Sequence, residues 1–362
     1  MSVPIEQTVT KLFRALEARQ IRYAVLRNYE LFPTLRVANS SSPHTDIDLV
    51  IDSRDLSKFR TLVTTLAEED CWDVLSECDH WAQSKTRHHN IEVFRFCRAE
   101  PLEYLQIDVF HGILIWGLPL ADEKQMLTGR IYDIERRLTR IDPAKENVHR
   151  MLQIHGLFPG SKRKRKRYRE KLLAFRATNR EHLDNTVEAM LSSFGLKAID
   201  ALERNDTPSF RRNMRLARAR FVLAYTLRNP LDVPACLYNR LRENIQRFCT
   251  RQCGAVIRTA VRDEAQRRMV REIMDELVQA SFMDEWREHD QGVRLSLSDY
   301  KAMEQGCLII EWTRNGYAQL DLRDIDDRKQ ALDAILNVCS LHHKQLYGGG
   351  RHTSVQAEAR AS

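Results

Sequence analysis

The sequence lacks the cysteine spacing that marks a zinc site. Its eight cysteines include no Cys-x-x-Cys pair. Cys249 and Cys253 are four residues apart, which places them on one helix face, but no second Cys/His pair with zinc-site spacing lies nearby. Scattered reduced thiols of this kind are typical of a cytosolic protein.

Long apolar runs are also missing. No run reaches the length that spans a membrane, and residues 1–20 form an amphipathic pattern with both charge signs, unlike a signal peptide. We therefore expect a cytoplasmic protein without membrane contact.

The C-terminal third also lacks a phosphate-binding loop, since Gly254–Ala260 contains no Gly-x-x-x-x-Gly-Lys-Ser/Thr pattern. We infer no ATPase there.

The size of the chain allows two or three domains. It has 362 residues, 43% of them hydrophobic, which is enough for a sizeable core. The formal net charge of +7 suits a polyanionic partner such as a nucleotide, a nucleic acid or an anionic surface. The net charge says nothing about the fold.

Apolar periodicity predicts alternating helices and strands in the first third of the chain. The predicted helices cover residues 6–20 and 54–67, and the predicted strands cover 23–26, 46–51, 72–75, 89–97 and 104–110. The last two strands form a hairpin. This order indicates the α+β class, with a small mixed sheet.

The remainder is predicted to be helical to about residue 247, and then to form a small α+β unit. That unit has a helix at 261–280, a hairpin at 306–322 turning at Asn315-Gly316, and a closing helix at 327–343. We predict an α+β domain with a small mixed sheet, a helical domain, a small C-terminal β-hairpin/helix unit and a disordered tail, over residues 1–120, 121–250, 251–347 and 348–362.

Two carboxylates lie two residues apart in a predicted strand. Side chains at i and i+2 share a strand face, so Asp46 and Asp48 converge while Ile47, Leu49 and Ile51 face a core. Like charges held this close repel, and a divalent cation with oxygen ligands would offset the repulsion. The alternative is a strand-edge turn with solvated aspartates.

Asp108 is a third carboxylate, flanked by apolar residues in the returning strand. A buried charge without a partner is costly. If this strand lies beside the Asp46 strand, then Asp46, Asp48 and Asp108 form one cluster that could bind Mg²⁺ (or Mn²⁺) and support phosphoryl or nucleotidyl transfer.

Three segments together resemble the nucleotidyltransferase superfamily of the polymerase-beta type: Tyr23–Glu30, Thr45–Ile51 and Leu105–Gly112. They are similar, more narrowly, to a bacterial group of uncharacterised nucleotidyltransferases that carry Leu-Arg-Asn before the acidic pair. The resemblance covers residues 6–120 and, more loosely, the chain to about 250. It implies that the first domain, residues 1–120, is a nucleotidyltransferase-like domain.

The resemblance implies that Asp46, Asp48 and Asp108 are catalytic metal ligands. Where the superfamily normally has Gly-Ser or Gly-Gly for the nucleotide triphosphate (ATP or another NTP), this chain has Arg27-Asn28. Arg27 could supply charge to phosphate oxygens, and Asn28 an amide donor.

A basic run follows the first domain at Lys162–Arg169. It predicts either electrostatic contact with a polyanion, with Tyr168 stacking on a base, or a solvated helix start. His44, His111 and His155 are weaker candidates, for which a structural role is expected.

These features predict an Mg²⁺-dependent nucleotidyltransferase that moves a nucleoside monophosphate from an NTP to a hydroxyl or phosphate of an acceptor. The alternative is a non-catalytic protein of the same fold that binds a nucleotide, a nucleic acid or another polyanion. The acceptor can be a small molecule, a saccharide, a protein side chain or an RNA end.

Overall fold

A computed structural model describes most of the chain, and it confirms the predicted α+β class. The described residues are 4–33, 46–79, 91–99, 102–115, 117–155, 162–238, 241, 254–258, 264–279, 287–289, 292–296, 318–322 and 325–336.

Ten helices lie in the described ranges: α1 Ile5–Ala18, α2 Leu56–Glu69, α3 Glu123–Leu127, α4 Pro143–His155, α5 Lys162–Thr178, α6 Arg180–Glu203, α7 Thr207–Arg228, α8 232–238, α9 Glu264–Gln279 and α10 328–336. None of them is long and apolar enough to cross a bilayer.

The strands of the first part of the chain are β1 Tyr23–Val25, β2 Asp46–Ile51, β3 Asp73–Asp79, β4 Ile91–Ala99, β5 Leu102–Phe110, β6 Gly112–Ile115, β7 Leu118–Asp122, β8 Ile131–Asp133 and β9 Leu138–Arg140. Seven of them form one mixed sheet in the order β3-β4-β5-β2-β1-β9-β8, and β6 pairs with β7. The pairs β2–β5 and β1–β9 are parallel.

Strand β2 separates two hydrophobic cores. Ile47, Leu49 and Ile51 face a core shared with α1 and α2, while Val50 belongs to a second core shared with the helices from α3 to α7. Because side chains alternate along a strand, Asp46 and Asp48 lie on the same face as Val50. The acidic pair therefore faces the helical layer.

The sheet continues past the region where the sequence pattern indicates strands. Residues 131–140 were expected to be helical, but they form β8 and β9, and β9 pairs with β1 through Val25 and Arg140. Each strand has three residues, too few for period-2 alternation to be visible, and Ile131 and Tyr132 of β8 are exposed. The approach of β9 to β1 is a tertiary contact that no local pattern encodes.

Gly112 connects β5 to β6 in a conformation that requires glycine. Its φ is +136°, and a Cβ at this position would lie 2.3 Å from the backbone oxygen of Ala121. The chain can therefore turn at once from the strand that carries Asp108 into β6.

Four strands of the C-terminal region form a second sheet in the order β11-β12-β10-β13, with bounds β10 Gly254–Arg258, β11 Arg287–His289, β12 Gly292–Ser296 and β13 Ala318–Asp321. The predicted strand at 317–322 corresponds to β13, which pairs with β10 in parallel. The other predicted strand, the Asn315-Gly316 turn and the tail after 347 lie outside the described residues.

Candidate functional site

The structure places Asp48 and Asp108 side by side. β2 and β5 run parallel, and the register pairs Asp48 with Asp108 and Asp46 with Gln106. Asp48 is 1% exposed, whereas Asp46 and Asp108 are half-buried. The juxtaposition predicted for the acidic cluster, Asp46, Asp48 and Asp108, thus exists in the backbone register.

Arg27 binds Asp48 directly. Its Nε and one terminal nitrogen donate to the two carboxylate oxygens at 2.5 and 2.9 Å, a bidentate ion pair. Burial acts to lower the pKa of Arg27, but the Asp48 carboxylate and the Tyr168 hydroxyl outweigh burial and hold that pKa well above its usual value. Arg27, predicted to contact a nucleotide, therefore neutralises the most buried carboxylate of the cluster.

Aromatic side chains enclose the Arg27 guanidinium. Its central carbon lies 5.8 Å from the centre of the Phe110 ring, and its other terminal nitrogen lies 3.4 Å from the Tyr168 hydroxyl. An ion pair in such low-dielectric surroundings depends on mutual charge compensation.

Asn28, the neighbouring predicted nucleotide contact, is 4% exposed, has φ +58°, and caps no backbone N–H of the 3-10 turn that follows it.

A polar chain along β5 leads to Asp108. The Tyr104 hydroxyl donates to Gln106 Oε1 at 2.8 Å, and Gln106 Nε2 donates to Asp108 Oδ1 at 2.9 Å. Tyr104 and Gln106 were not identified from the sequence. The signal was present, since positions 104, 106 and 108 share one face of a strand.

Helix α4 brings a second ion pair to the same region. Arg150 pairs with the Glu146 carboxylate and donates to Asn147 Oδ1 at 3.0 Å. Burial raises the pKa of Glu146, against the opposing charges of Arg150, Arg140 and Arg27. The charges of these arginines, which we call the arginine cluster (Arg27, Arg140 and Arg150), all favour the ionised form of one buried carboxyl group. No local sequence pattern indicates Glu146, Arg140 or Arg150, because each lies more than a hundred residues from Arg27.

Helix α5 packs against the end of β1 and covers the site. Tyr168 is 1% exposed beside Arg27, and Lys171 forms an ion pair with Glu30. The expectation that Tyr168 stacks on a base is therefore wrong, because the ring belongs to the core. Of the predicted basic run Lys162–Arg169, Lys166 is well exposed, and its Nζ lies 4.0 Å from a Glu170 carboxylate oxygen. The polyanion contact stays a prediction.

The histidines lie apart from the acidic cluster where they are described. His111 Nε2 lies 3.7 Å from Glu92, whose carboxylate accepts from Arg60 at 2.7 Å. Glu92 is the register partner of Val109, so this contact lies on the face of the sheet opposite to Asp108. His44 lies outside the described residues.

His155, at the end of α4, is expected to make the free energy of unfolding decrease at acid pH. Its pKa is lowered to about 4, because burial and then three arginines of α7 disfavour the imidazolium: Arg218, Arg215 and Arg211. The unfolded chain binds this proton near pH 6.5, but the folded protein resists binding it. The free energy of unfolding is therefore highest above pH 6.5 and decreases as the pH falls towards 4.

We therefore expect wild type to lose about 1–2 kcal/mol more unfolding free energy than His155→Gln when the pH falls from about 7 to about 4.5, allowing for the partial exposure of the ring. Urea unfolding at both pH values measures this difference. Equal losses in the two proteins would contradict the assignment.

The donor chemistry of the acidic cluster fits a hard divalent cation, since all three side chains are carboxylates. Among the described residues, however, no three His, Cys, Asp or Glu side chains stand assembled as a metal site. Arg27 also uses both oxygens of Asp48. Asp46 and Asp108 are thus the two members that a metal could bind first, and the three-carboxylate metal site stays a prediction.

Comparisons with known proteins add a structural similarity. No protein-family model and no curated protein matches the chain. The crystal structure of an antigenic nucleotidyltransferase-like protein from Paracoccidioides brasiliensis matches over 58% of this chain and 92% of that one, with a TM-score of 0.31 and 15% sequence identity. At that TM-score, the match does not by itself establish a common fold or activity.

Proposed function

We propose that this protein is a nucleotidyltransferase that moves a nucleoside monophosphate from an NTP to a hydroxyl or phosphate of an acceptor. The observation that carries the proposal is the pairing of Asp48 with Asp108 on adjacent parallel strands, with Asp46 on the same face. Arginines lie beside these carboxylates, as a site that binds both a cation and phosphates requires.

Asp46 and Asp108 are the residues that would hold Mg²⁺. Asp48 would become a third ligand if the cation displaced Arg27 from its carboxylate. When bound, the cation would neutralise phosphate charge and orient the reacting groups. In the transfer, the acceptor oxygen bonds to the α-phosphorus, the α–β phosphoanhydride bond breaks, and pyrophosphate leaves. A carboxylate of the cluster accepts the proton of an acceptor hydroxyl, and the hydrogen bond that orients Asp108, from Gln106, supports Asp108 for this role.

Arg27 gives the site a fixed positive charge. Its bidentate contact with Asp48 and its position between Phe110 and Tyr168 hold the guanidinium in place before any ligand arrives. A charge that needs no reorganisation stabilises developing negative charge on phosphate oxygens most effectively. Asn28, next in the chain, is held in the same turn.

The test is label transfer from α-labelled NTPs. The protein is incubated with each of four NTPs, Mg²⁺ and acceptor panels of small alcohols, saccharides, proteins and RNA. We expect a labelled acceptor and an equal amount of pyrophosphate, both abolished by EDTA. If no acceptor in any panel is labelled while NTP binding is detected, the transferase proposal fails.

The contact between Arg27 and Asp48 favours a second candidate function. An internal cation that already satisfies the most buried carboxylate reduces the need for a metal. The protein would then bind a nucleotide or another polyanion without turnover. Salt-sensitive NTP binding that is unchanged by EDTA, with no labelled product, would identify this function.

A further inference from the structure

Arg140 lies on the face of an aromatic ring. Its central guanidinium carbon is 4.3 Å from the centre of the Tyr29 ring. Arg136 lies 5.8 Å from the same ring, but its side chain is paired with Asp133 at 3.3 Å. Stacking uses the flat face of a guanidinium and leaves its in-plane N–H donors for other partners.

The backbone fixes Arg140 beside the strand end that carries Arg27. Arg140 is the register partner of Val25 in the parallel β1–β9 pair, and the Ile141 amide donates to the Val25 carbonyl at 3.0 Å. The carboxyl ends of β1 and β9 therefore meet at one end of the sheet. Since β2 runs antiparallel to β1, Asp46 begins its strand at that same end.

Arg140 differs from the other two members of the arginine cluster. Arg27 holds Asp48, and Arg150 holds Glu146. Among the described residues, Arg140 pairs with no carboxylate, and its Nε is buried without a hydrogen-bond partner. The residue as a whole is half-buried.

A buried N–H donor without an acceptor costs free energy, so the Arg140 Nε is not held in place by an internal partner. Planar guanidinium donors match the oxygens of phosphate groups in a bidentate manner. A guanidinium already stacked on Tyr29 also loses little conformational freedom on binding.

We infer that Arg140, stacked on Tyr29, is the phosphate-chain subsite for a nucleoside triphosphate. The subsite rests on the proposed function and deepens it, because it names the residue that binds the phosphates beyond the reacting one. The basic run Lys162–Arg169 of α5 is not required for it.

The test measures binding of tripolyphosphate and of ATP, in EDTA and without catalysis, by titration calorimetry. We expect Arg140→Gln to weaken both ligands by about tenfold or more. Adenosine, which has no phosphate, serves as the ligand control. Arg130→Gln is the matched variant, because it removes an exposed arginine from the same part of the chain, and we expect it to bind both ligands like wild type.

A chemical footprint makes the same test on the wild-type protein, should Arg140→Gln not fold. An arginine-specific reagent is applied with and without tripolyphosphate, and modification is read by mass spectrometry. We expect tripolyphosphate to protect Arg140 and not Arg130. Equal binding by the two variants, or no protection of Arg140, would overturn the subsite.

The outcomes separate this subsite from the proposed reaction. Protection and weakened binding without any labelled product would retain the subsite and reject the transferase. Product formation at equal NTP affinity in wild type and Arg140→Gln would retain the transferase and reject the subsite.

Discussion

Asp108→Asn is expected to lower nucleotidyl transfer by about 10²- to 10³-fold, because it removes the charge with which position 108 binds a cation or accepts a proton. The same substitution is expected to leave the unfolding free energy unchanged or higher. An asparagine oxygen can still accept from Gln106 Nε2, and the repulsion between adjacent Asp48 and Asp108 disappears.

Stability and activity therefore move independently at this position, which a purely structural aspartate would not show. Transfer is measured with α-labelled NTP and stability by urea unfolding on the same preparations. Asp46→Asn should also lower transfer. Glu69→Gln, at an exposed position at the end of α2, is the control that should keep full activity. An active Asp108→Asn protein would remove Asp108 from the mechanism.

Arg27→Met is expected to destabilise the protein by about 3–5 kcal/mol, because it leaves Asp48 buried without its counter-charge. Asp48 is 1% exposed and the Arg27 side chain 15% exposed, so water cannot replace the guanidinium. Urea unfolding followed by tryptophan fluorescence measures the loss. The double variant Arg27→Met with Asp48→Asn should recover much of it, since a neutral amide is cheaper to bury than a carboxylate.

Lys58→Met is the matched control for this prediction. Lys58 pairs with Asp55 at 2.8 Å, but its side chain is 63% exposed, so we expect a loss of no more than about 1 kcal/mol. If Arg27→Met lost no more unfolding free energy than Lys58→Met, or if the double variant recovered none of the loss, the ion pair between Arg27 and Asp48 would be dispensable.

Local pattern was sufficient for the elements that carry the acidic cluster. The alternation of Ile47, Leu49 and Ile51 with Asp46 and Asp48 predicts both the strand and its faces, because a two-residue period is a property of the backbone itself. The hairpin of β4 and β5 was predicted in the same way.

The partners of those residues could not be predicted by the same means. Arg27 meets Asp48 across 21 positions of sequence, and Tyr168 reaches Arg27 across 141. The basic composition of Lys162–Arg169 indicates a charged segment and gives no sign of a buried side. The burial of Tyr168 and Leu172, four residues apart on one face of α5, shows that the same helix has an inward side.

The sequence alone determined the α+β class, the face shared by Asp46 and Asp48, and the strand that carries Asp108, since each follows from hydrophobic periodicity within one element. Only the tertiary structure decided that Asp48 lies beside Asp108, that Arg27 neutralises Asp48, and that the charges of Arg27 and Arg140 act on Glu146. The reason is that strand order and helix docking are set by how distant segments bury their apolar faces together, which no short pattern specifies.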